Sequence, residues 1–234
     1  MKFALRSYQK ELLDGNDIPF NDIARNMKEL EIINRFLGGH RINVQALHHL
    51  LPEITVSPVR ICEIGSGGGD NLRALASWCR KENIPATFTG IDINTNCIQY
   101  ARQTGPPNFT YIEKDYRNVV FDIKPDILFC SLFCHHFTNE ENVELIRWMD
   151  TNASLGFFIN DLHRHPLAYY SIKLLTAFFS KSYLVKNDAP LSVLRGFQQH
   201  ELTNCLEEAG VQQFSTEWKW AFRWLVIVNK SRSR

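Results

Sequence analysis

A glycine-rich turn follows an acidic residue about one quarter of the way along the chain. The stretch reads E-I-G-S-G-G-G, in which Glu63 stands two residues before Gly65 and is followed by Gly67 and Gly69. Glycine permits positive φ and lets a ligand approach backbone amides that no Cβ shields. A helix that begins near Asp70 would point its free N–H groups at the same place. The turn therefore predicts a site for a dinucleotide pyrophosphate or for an adenosyl group that carries an amino acid.

The spacing of the glycines separates these two ligands. A dinucleotide fingerprint has the form G-x-G-x-x-G, and a fingerprint that starts at Gly65 would end on Asp70 instead of on glycine. An acidic side chain at that position would repel a pyrophosphate, which counts against an NAD-dependent reductase. The carboxylate of Glu63 instead suits a ligand with a cationic ammonium group. The spacing favours the adenosyl ligand.

Acidic residues also follow the next two predicted strands. Asp92 ends the second strand, where a carboxylate can accept hydrogen bonds from both hydroxyls of a ribose. Asp115 follows the third strand and can accept from an adenine amino group, while the backbone amide of Tyr116 donates to the ring. Ligands of an open parallel sheet bind beyond the carboxyl ends of its strands, so these groups are expected to meet at one edge.

Short apolar runs alternate with helical patterns from Val59 onward. Strands are predicted at 59–64, 85–91, 109–113, 126–132 and 153–159, and helices at 70–81, 94–102, 140–149 and 198–209. This alternation predicts an α/β fold with a mostly parallel sheet and helices on both faces. Two further apolar runs, 211–216 and 222–228, are close in sequence and predict an antiparallel C-terminal hairpin.

Two segments lie outside this alternation. Residues 1–58 predict an N-terminal helical cap, chiefly at 22–37 and 44–51, in front of a domain at 59–234 with which they form one structural unit. Residues 162–195 are too long for a plain connection and predict a helical insertion after the fifth strand. Within the insertion, 166–179 is more apolar than a helix with one wetted face requires. Its surplus side chains either pack on the N-terminal helices, which we favour, or line an apolar substrate pocket.

The composition limits the class of partner. The chain has 234 residues, of which 44% are apolar and 22% charged, and its formal net charge is +1. These values are typical of a globular protein and leave no basic excess for binding a nucleic acid. There is no signal peptide and no run of about 18 apolar residues, so we expect a cytoplasmic protein without a membrane span. The six cysteines form no C-x-x-C pair and predict buried thiols, with no metal site.

Four segments, taken in order, resemble the motifs of class I S-adenosylmethionine-dependent methyltransferases. They are 63–69, G-I-D-I at 90–93, E-K-D-Y at 113–116 and F-C-H-H-F at 133–137, and the resemblance runs from Val59 to Lys230. It implies a Rossmann-like, seven-stranded sheet and S-adenosylmethionine (SAM) as the methyl donor, with S-adenosylhomocysteine (SAH) as its product. The implied cofactor contacts come from Glu63, Gly65, Ser66, Gly67, Gly69, Asp92, Ile93, Asp115, Tyr116 and Leu132.

The resemblance also suggests a class of acceptor. Segments 34–39 and 188–195 are similar to bacterial members that act on quinones, phenols and polyketides. We therefore expect a monomer or homodimer that methylates a small, apolar or phenolic acceptor, with O-methylation favoured over C-methylation. A nucleic-acid or protein methyltransferase is an alternative, although the charge and the absence of an N-P-P-Y-like motif after the fourth strand disfavour nucleic acid. A non-catalytic SAM-binding partner protein stays open, because no single catalytic residue is indispensable to this family.

Methyl transfer to a hydroxyl needs a base near the departing methyl group. Histidine is the usual base near neutral pH, and we prefer His163 after the fifth strand, followed by His165 and His136. The pair at 135 and 136 could equally pack the floor of the pocket. Asp161 either orients a histidine or caps the following helix.

Three residues are candidate contacts to the acceptor. Arg164 and Arg195 could anchor an anionic or phenolate group, or could be ordinary surface charges. Tyr169 lies in the apolar helix of the insertion and could line the acceptor pocket.

Overall fold

A seven-stranded sheet forms the centre of the protein. The computed structural model describes residues 3–15, 17–51 and 58–230. The strands are β1 (Val59–Ile64), β2 (Ala86–Asp92), β3 (Thr110–Glu113), β4 (Ile127–Ser131), β5 (Gly156–Leu162), β6 (Ser215–Lys219) and β7 (Arg223–Asn229). They lie in the order β3-β2-β1-β4-β5-β7-β6, and β7 is antiparallel to both of its neighbours while the other pairs are parallel. The predicted Rossmann-like α/β fold with an antiparallel C-terminal hairpin is confirmed.

Helices cover both faces of the sheet. They are α1 (Phe20–Phe36), α2 (Gly39–Leu50), α3 (Asp70–Lys81), α4 (Thr95–Thr104), α5 (Asn139–Asn152), α6 (Pro166–Phe179), α7 (Tyr183–Arg195) and α8 (Gln199–Glu208). Leu47 of α2 and Leu75 of α3 belong to the buried cluster on one face, and Leu145 of α5 and Leu206 of α8 to the cluster on the other. Full burial between two helical layers explains why β4 is a nearly continuous apolar run.

The observed elements differ from the predicted ones mainly near the C-terminus. β1 and α3 have the predicted bounds, whereas β5 begins three residues later than predicted, at Gly156. β6 covers 215–219 rather than 211–216, because it is an edge strand whose residues are half-exposed or exposed and leave a weak apolar pattern. The insertion after β5 contains a second helix, α7, which has Pro190 in its interior. Proline seldom lies inside a helix, so this element was not predicted separately.

The N-terminal cap contains the two predicted helices. α2 begins at Gly39, five residues before the predicted position, and directly follows Gly38, which has a φ of 81°. This left-handed conformation favours glycine and separates α1 from α2 by a sharp turn. Residues 1–2, 16 and 52–57 of the predicted cap lie outside the described residues, as do 231–234 at the other end.

Helix α6 exposes most of its large apolar side chains. Those of Leu167, Tyr170, Leu174, Leu175, Phe178 and Phe179 are all exposed, and only Ala168, Tyr169 and Thr176 are buried. The expected packing on the N-terminal helices therefore does not bury the apolar surplus of α6.

The six cysteines are buried free thiols. Cys130 and Cys134 are the two whose sulfur atoms approach each other, at 3.5 Å. Within the described part of the chain, no helix combines the length and the apolar character that crossing a membrane requires.

Candidate functional site

Backbone amides hold the carboxylate of Asp92 at the glycine-rich turn. Gly67 N donates to Asp92 Oδ2 at 2.7 Å, and Asn94 N donates to Asp92 Oδ1 at 2.9 Å. Gly67 has a φ of 48°, a backbone conformation that is unfavourable for residues other than glycine. Burial raises the pKa of Asp92. The half-buried carboxylate is thus fixed at the carboxyl edge of the sheet, where a ribose could bind.

Glu63 is fully buried beneath the same turn. Its Oε1 atom accepts a hydrogen bond from Asn71 Nδ2 at 2.7 Å, while Oε2 has no partner among the described residues. Burial and the charge of Asp70 raise the pKa of Glu63 well above its ordinary value. Because an unpaired buried carboxylate is unfavourable, a cationic ligand group at Oε2 would stabilise its charged form.

Amide side chains connect Glu63 to the end of β5. Asn43 Nδ2 of α2 donates to Asn71 Oδ1 at 3.0 Å, and Asn160 Nδ2 of β5 donates to Asn43 Oδ1 at 2.7 Å. These hydrogen bonds join residues that are far apart in sequence, and no sequence pattern identified Asn43 or Asn71 as part of the site. They fix the position of Glu63 relative to the strand ends.

The predicted adenine contacts lie one strand beyond Asp92. Arg117 forms an ion pair with Asp115, with 2.5 Å between Arg117 Nη2 and Asp115 Oδ2, and this hydrogen bond lowers the pKa of Asp115. Tyr116 is buried, and its ring packs edge-on against Trp148 at a centroid distance of 5.3 Å. Ile93 is 71% exposed beside them, which leaves its side chain free to contact a ligand.

Close packing above the turn also involves Gly65 and Ser66. A Cβ atom added to Gly65 would lie only 2.1 Å from the ring of Phe133, so the aromatic ring requires glycine there. The hydroxyl of Ser66 is buried and has no hydrogen-bond partner in the described part of the chain. It is a second polar group at the turn that a ligand could satisfy.

Leu132 redirects the chain as it leaves β4. It has a φ of 55°, which is unusual for a residue with a branched side chain, and its amide donates to Asn160 O at 2.9 Å. Strained backbone of this kind is often found at functional sites. The bend leads into a short 3-10 turn, Cys134–His136, and brings both histidines of that turn to the carboxyl edge.

His135 is buried between two carboxylates. Its Nδ1 atom lies 2.8 Å from Asp161 Oδ1, and its Nε2 atom lies 3.5 Å from Glu11 Oε1. Burial favours the neutral ring, but the charge and hydrogen bond of Asp161, assisted by Glu11, raise the pKa of His135 to about 9. Asp161 was predicted either to orient a histidine or to cap the following helix. Its contacts agree with the first alternative, and the histidine is His135.

His136 is the more exposed member of the pair. Its Nδ1 atom lies 3.0 Å from Asp14 Oδ1, and its Nε2 atom lies 3.9 Å from Glu11 Oε2, beyond hydrogen-bonding distance. A proton on His136 would oppose the effect of burial on the pKa of Asp92. His136 is therefore close to the predicted ribose site.

The acidic partners of the histidines come from the N-terminal segment, which the sequence did not assign to the site. Glu11 and Asp14 flank a short 3-10 turn, and Glu11 N donates to Asp14 Oδ2 at 3.0 Å. Glu11, His135 and His136 each place a ligand atom within 4.8 Å of the others, a spacing that a metal ion could bridge. The raised pKa of His135 favours a proton over a metal at that ring.

Residues 61–156 match a family model described as "Methyltransferase domain". The matched stretch runs from β1 to the start of β5 and includes the glycine-rich turn and Asp92. The resemblance to class I SAM-dependent methyltransferases is confirmed by this match together with the fold, and the predicted enzyme class is confirmed with it.

Several proteins of known name are similar to this chain. The carboxy-S-adenosyl-L-methionine synthase of Campylobacter jejuni subsp. doylei is 24% identical over 211 residues, covering 82% of this chain and 85% of that protein. The plantazolicin methyltransferase BpumL, solved with SAH, superposes with a TM-score of 0.66 at 16% identity and 90% coverage of both chains. Human N-acetylserotonin methyltransferase, solved with SAM, has a TM-score of 0.63 at 16% identity, covering 91% of this chain and 56% of that one. At these identities the structural likeness shows the fold.

His163 and His165 lie toward the β7 side of the methyltransferase domain. Trp218 Nε1 donates to His163 Nδ1 at 3.2 Å, and His163 lines a cavity of about 590 Å³ with Gln198 and Trp224. Burial and the charge of His165 lower the pKa of His163, which keeps its ring neutral near pH 7. His165 caps α6 by accepting a hydrogen bond from Leu167 N at 3.1 Å. Their catalytic roles stay predictions.

The three residues predicted to contact the acceptor are in contact with other residues of the protein. Arg164 is buried and forms an ion pair with Glu201 at 2.8 Å. Arg195 Nε donates to the carbonyl oxygen of His135 at 3.0 Å, and its Nη2 to that of His136 at 2.7 Å, so it holds the histidine turn in place. Tyr169 is buried, with its ring edge-on to Phe3 at 5.7 Å.

Proposed function

We propose that the chain binds SAM at the turn formed by residues 63–69 and transfers its methyl group to a small-molecule acceptor. The observation that carries this proposal is the unpartnered Oε2 atom of Glu63, buried beneath the turn. SAM has an ammonium group that would pair with it, and a nicotinamide dinucleotide has none. In this proposal Asp92 accepts the ribose hydroxyls and Asp115 accepts the adenine amino group. SAM and SAH occupy the corresponding folds of the similar methyltransferases.

His136 is the base that the geometry favours for an O–H acceptor. If the carboxylate of Asp14 accepts a hydrogen bond from Nδ1–H, the Nε2 atom of His136 carries a lone pair and has no hydrogen bond to the described residues. The acceptor oxygen would attack the methyl carbon as the carbon–sulfur bond breaks, and its proton would pass to Nε2. The sulfonium becomes the neutral thioether of SAH. The domain then has to align the oxygen with the methyl group and exclude water.

A second candidate function is suggested by the relatives named carboxy-S-adenosyl-L-methionine synthases, which are similar over most of this chain. In that case SAM itself would be modified instead of donating its methyl group to an acceptor. Mass spectrometry of the small-molecule products distinguishes the two: methyl transfer yields SAH, whereas the second candidate yields a SAM derivative that carries an added carboxyl group.

The Glu63→Gln variant tests the proposed ammonium site. Glutamine keeps the size of the side chain but cannot supply a negative charge, so we expect roughly 10- to 150-fold weaker binding of SAM, the loss associated with a hydrogen bond to a charged group. Calorimetry in buffers of different ionisation enthalpy should also detect proton release when SAM binds to the wild type. The pKa of Glu63 is raised in the ligand-free protein, so its carboxyl group would lose a proton when it pairs with the ammonium. Equal affinity in a folded variant would place the ammonium elsewhere.

The Asp92→Ala variant tests the ribose site. Loss of a carboxylate that accepts two hydroxyl hydrogen bonds is expected to weaken SAM binding by about 1–3 kcal/mol. The exposed residue Asp122 provides a control, since Asp122→Ala removes the same charge from a surface loop away from the turn. If the two variants bind SAM equally well in a calorimetric titration, Asp92 is not the ribose ligand.

A further inference from the structure

Arg223, the first residue of β7, is a buried cation with few partners. Its side chain is 2% exposed, and Nη2 donates to Asn34 Oδ1 at 2.9 Å. Among the described residues, the Nε and Nη1 atoms have no hydrogen-bond partner, and no carboxylate lies within ion-pair distance of the guanidinium. Burial lowers the pKa of Arg223 to about 10, against the opposing charges of Asp161 and Asp70. Unpaired burial of a guanidinium is unfavourable, so a missing partner is expected.

The surroundings of the guanidinium are suited to an anion. A Cβ atom added to Gly39 would lie 3.2 Å from Arg223 Nη2, so the cation packs directly against the first residue of α2. This helix has 12 residues, and no side chain caps its N-terminus. Its first-turn amides and its dipole therefore add positive potential beside the guanidinium.

An unpaired acceptor lies next to the same helix end. Asn160 Nδ2 donates to Gly39 O at 3.3 Å, while Asn160 Oδ1 is buried without a described partner. The place thus offers N–H donors with positive charge on one side and a neutral oxygen acceptor on the other. A carboxylic acid that also carries an O–H or N–H group would satisfy both.

Arg223 lies at the carboxyl edge of the sheet, several strands away from the proposed ribose site at Asp92. Arg223 pairs with Leu162 at the end of β5, so its side chain starts at the carboxyl edge, separated from Asp92 by β1, β4 and β5. We propose that Arg223 binds a carboxylate of the methyl acceptor, with the first turn of α2 beside it and Asn160 Oδ1 accepting a hydrogen bond from the same molecule. This inference rests on the proposed function and narrows its acceptor to hydroxy or amino carboxylic acids.

A small carboxylate can test the site without knowledge of the acceptor. Acetate labelled with 13C is titrated into the SAH-saturated protein at constant ionic strength, with chloride as the balancing anion, and binding is followed by NMR line broadening. The wild type is expected to bind acetate, and Arg223→Met at least roughly tenfold more weakly, because the charge-assisted hydrogen bonds are lost. Arg223→Lys keeps a cation and should retain part of the affinity.

Two comparisons separate this loss from a folding defect. Arg223→Met removes an unpaired buried charge, so its thermal stability without ligand should equal or exceed that of the wild type. Arg60→Met is the matched control, because Arg60 is half-exposed, forms an ion pair with Asp126 and lies at the opposite edge of the sheet. It should bind acetate as the wild type does.

Three results would overturn the assignment. The first is a wild type that binds no acetate, and the second is equal binding by the wild type and Arg223→Met. The third is that acetate binds the SAH-free protein and is displaced by added SAH, together with weaker SAH binding by Arg223→Met, which would assign the guanidinium to the cofactor's own carboxylate. A separate SAH titration distinguishes failure of the proposed function: a chain that does not bind SAH is not the proposed methyltransferase, whatever the acetate result.

Discussion

Replacement of His136 by alanine is expected to slow methyl transfer by about 10²–10⁴-fold and to change SAM affinity little. The reason is geometric: Asp14 holds Nδ1 at 3.0 Å, Nε2 has no hydrogen bond within the described part of the chain, and the ring is near Asp92 at the edge where SAM is proposed to bind. Turnover with labelled SAM and an active acceptor measures the rate, and calorimetry measures SAM affinity. Loss of affinity equal to the loss of rate would indicate a binding role instead.

High pH and a second histidine variant provide the controls for this result. A phenolic acceptor ionises without help near pH about 10, so the activity of His136→Ala should recover partly as the pH approaches that value. His163→Ala tests the base that the sequence favoured, whose ring lines the cavity beside Trp224. If His163→Ala loses the activity and His136→Ala keeps it, the base is in that cavity and the role given to His136 is wrong.

The Asp161→Ala substitution is expected to lower the free energy of unfolding by about 3–5 kcal/mol near pH 6. Asp161 Oδ2 accepts from the amides of Phe133 and His135, and Oδ1 accepts from Leu162 N and contacts His135 Nδ1 at 2.8 Å. Alanine would leave these donors and a buried imidazolium without their anion. Denaturant unfolding of the two proteins at one temperature measures the difference.

The pH dependence of that difference has a definite sign. His135 has a folded pKa of about 9, raised above its unfolded value, so the pair contributes fully below the unfolded pKa and less as the pH rises through about 9. The stability advantage of the wild type should therefore shrink on the alkaline side. Glu217→Ala removes one partner of an exposed ion pair with Lys219 and should cost under about 1 kcal/mol. A similar small cost for Asp161→Ala would contradict the proposed role of the buried pair.

The sequence predicted the sheet and the cofactor edge because both depend on local patterns. Buried strands such as β4 are almost entirely apolar, and the glycine turn and Asp92 are linked only by the rule that parallel strands end at one edge. The bounds of β6 were predicted wrongly because an edge strand buries few side chains. Helix α7 was not predicted separately because its interior proline resembles a helix stop.

The remaining site residues depend on contacts between distant parts of the chain. Asn34 and Arg223 are separated by 189 residues, and His136 and Asp14 by 122. No spacing rule links such residues, and an arginine in a strand is usually assigned to the surface. Packing of the N-terminal segment and of β7 onto the edge had to be seen before Glu11, Asp14 and Arg223 could be assigned to the site.

The buried cysteines provide a way to measure local opening of the protein by thiol labelling. A thiol reacts as its thiolate, and burial raises the pKa of Cys79 to about 11 and that of Cys205 to about 12. Reaction with an alkylating reagent therefore requires that the surrounding packing opens. Because Cys79 lies in α3 and Cys205 in α8, on opposite faces of the sheet, their separate labelling rates would show which helical layer detaches first.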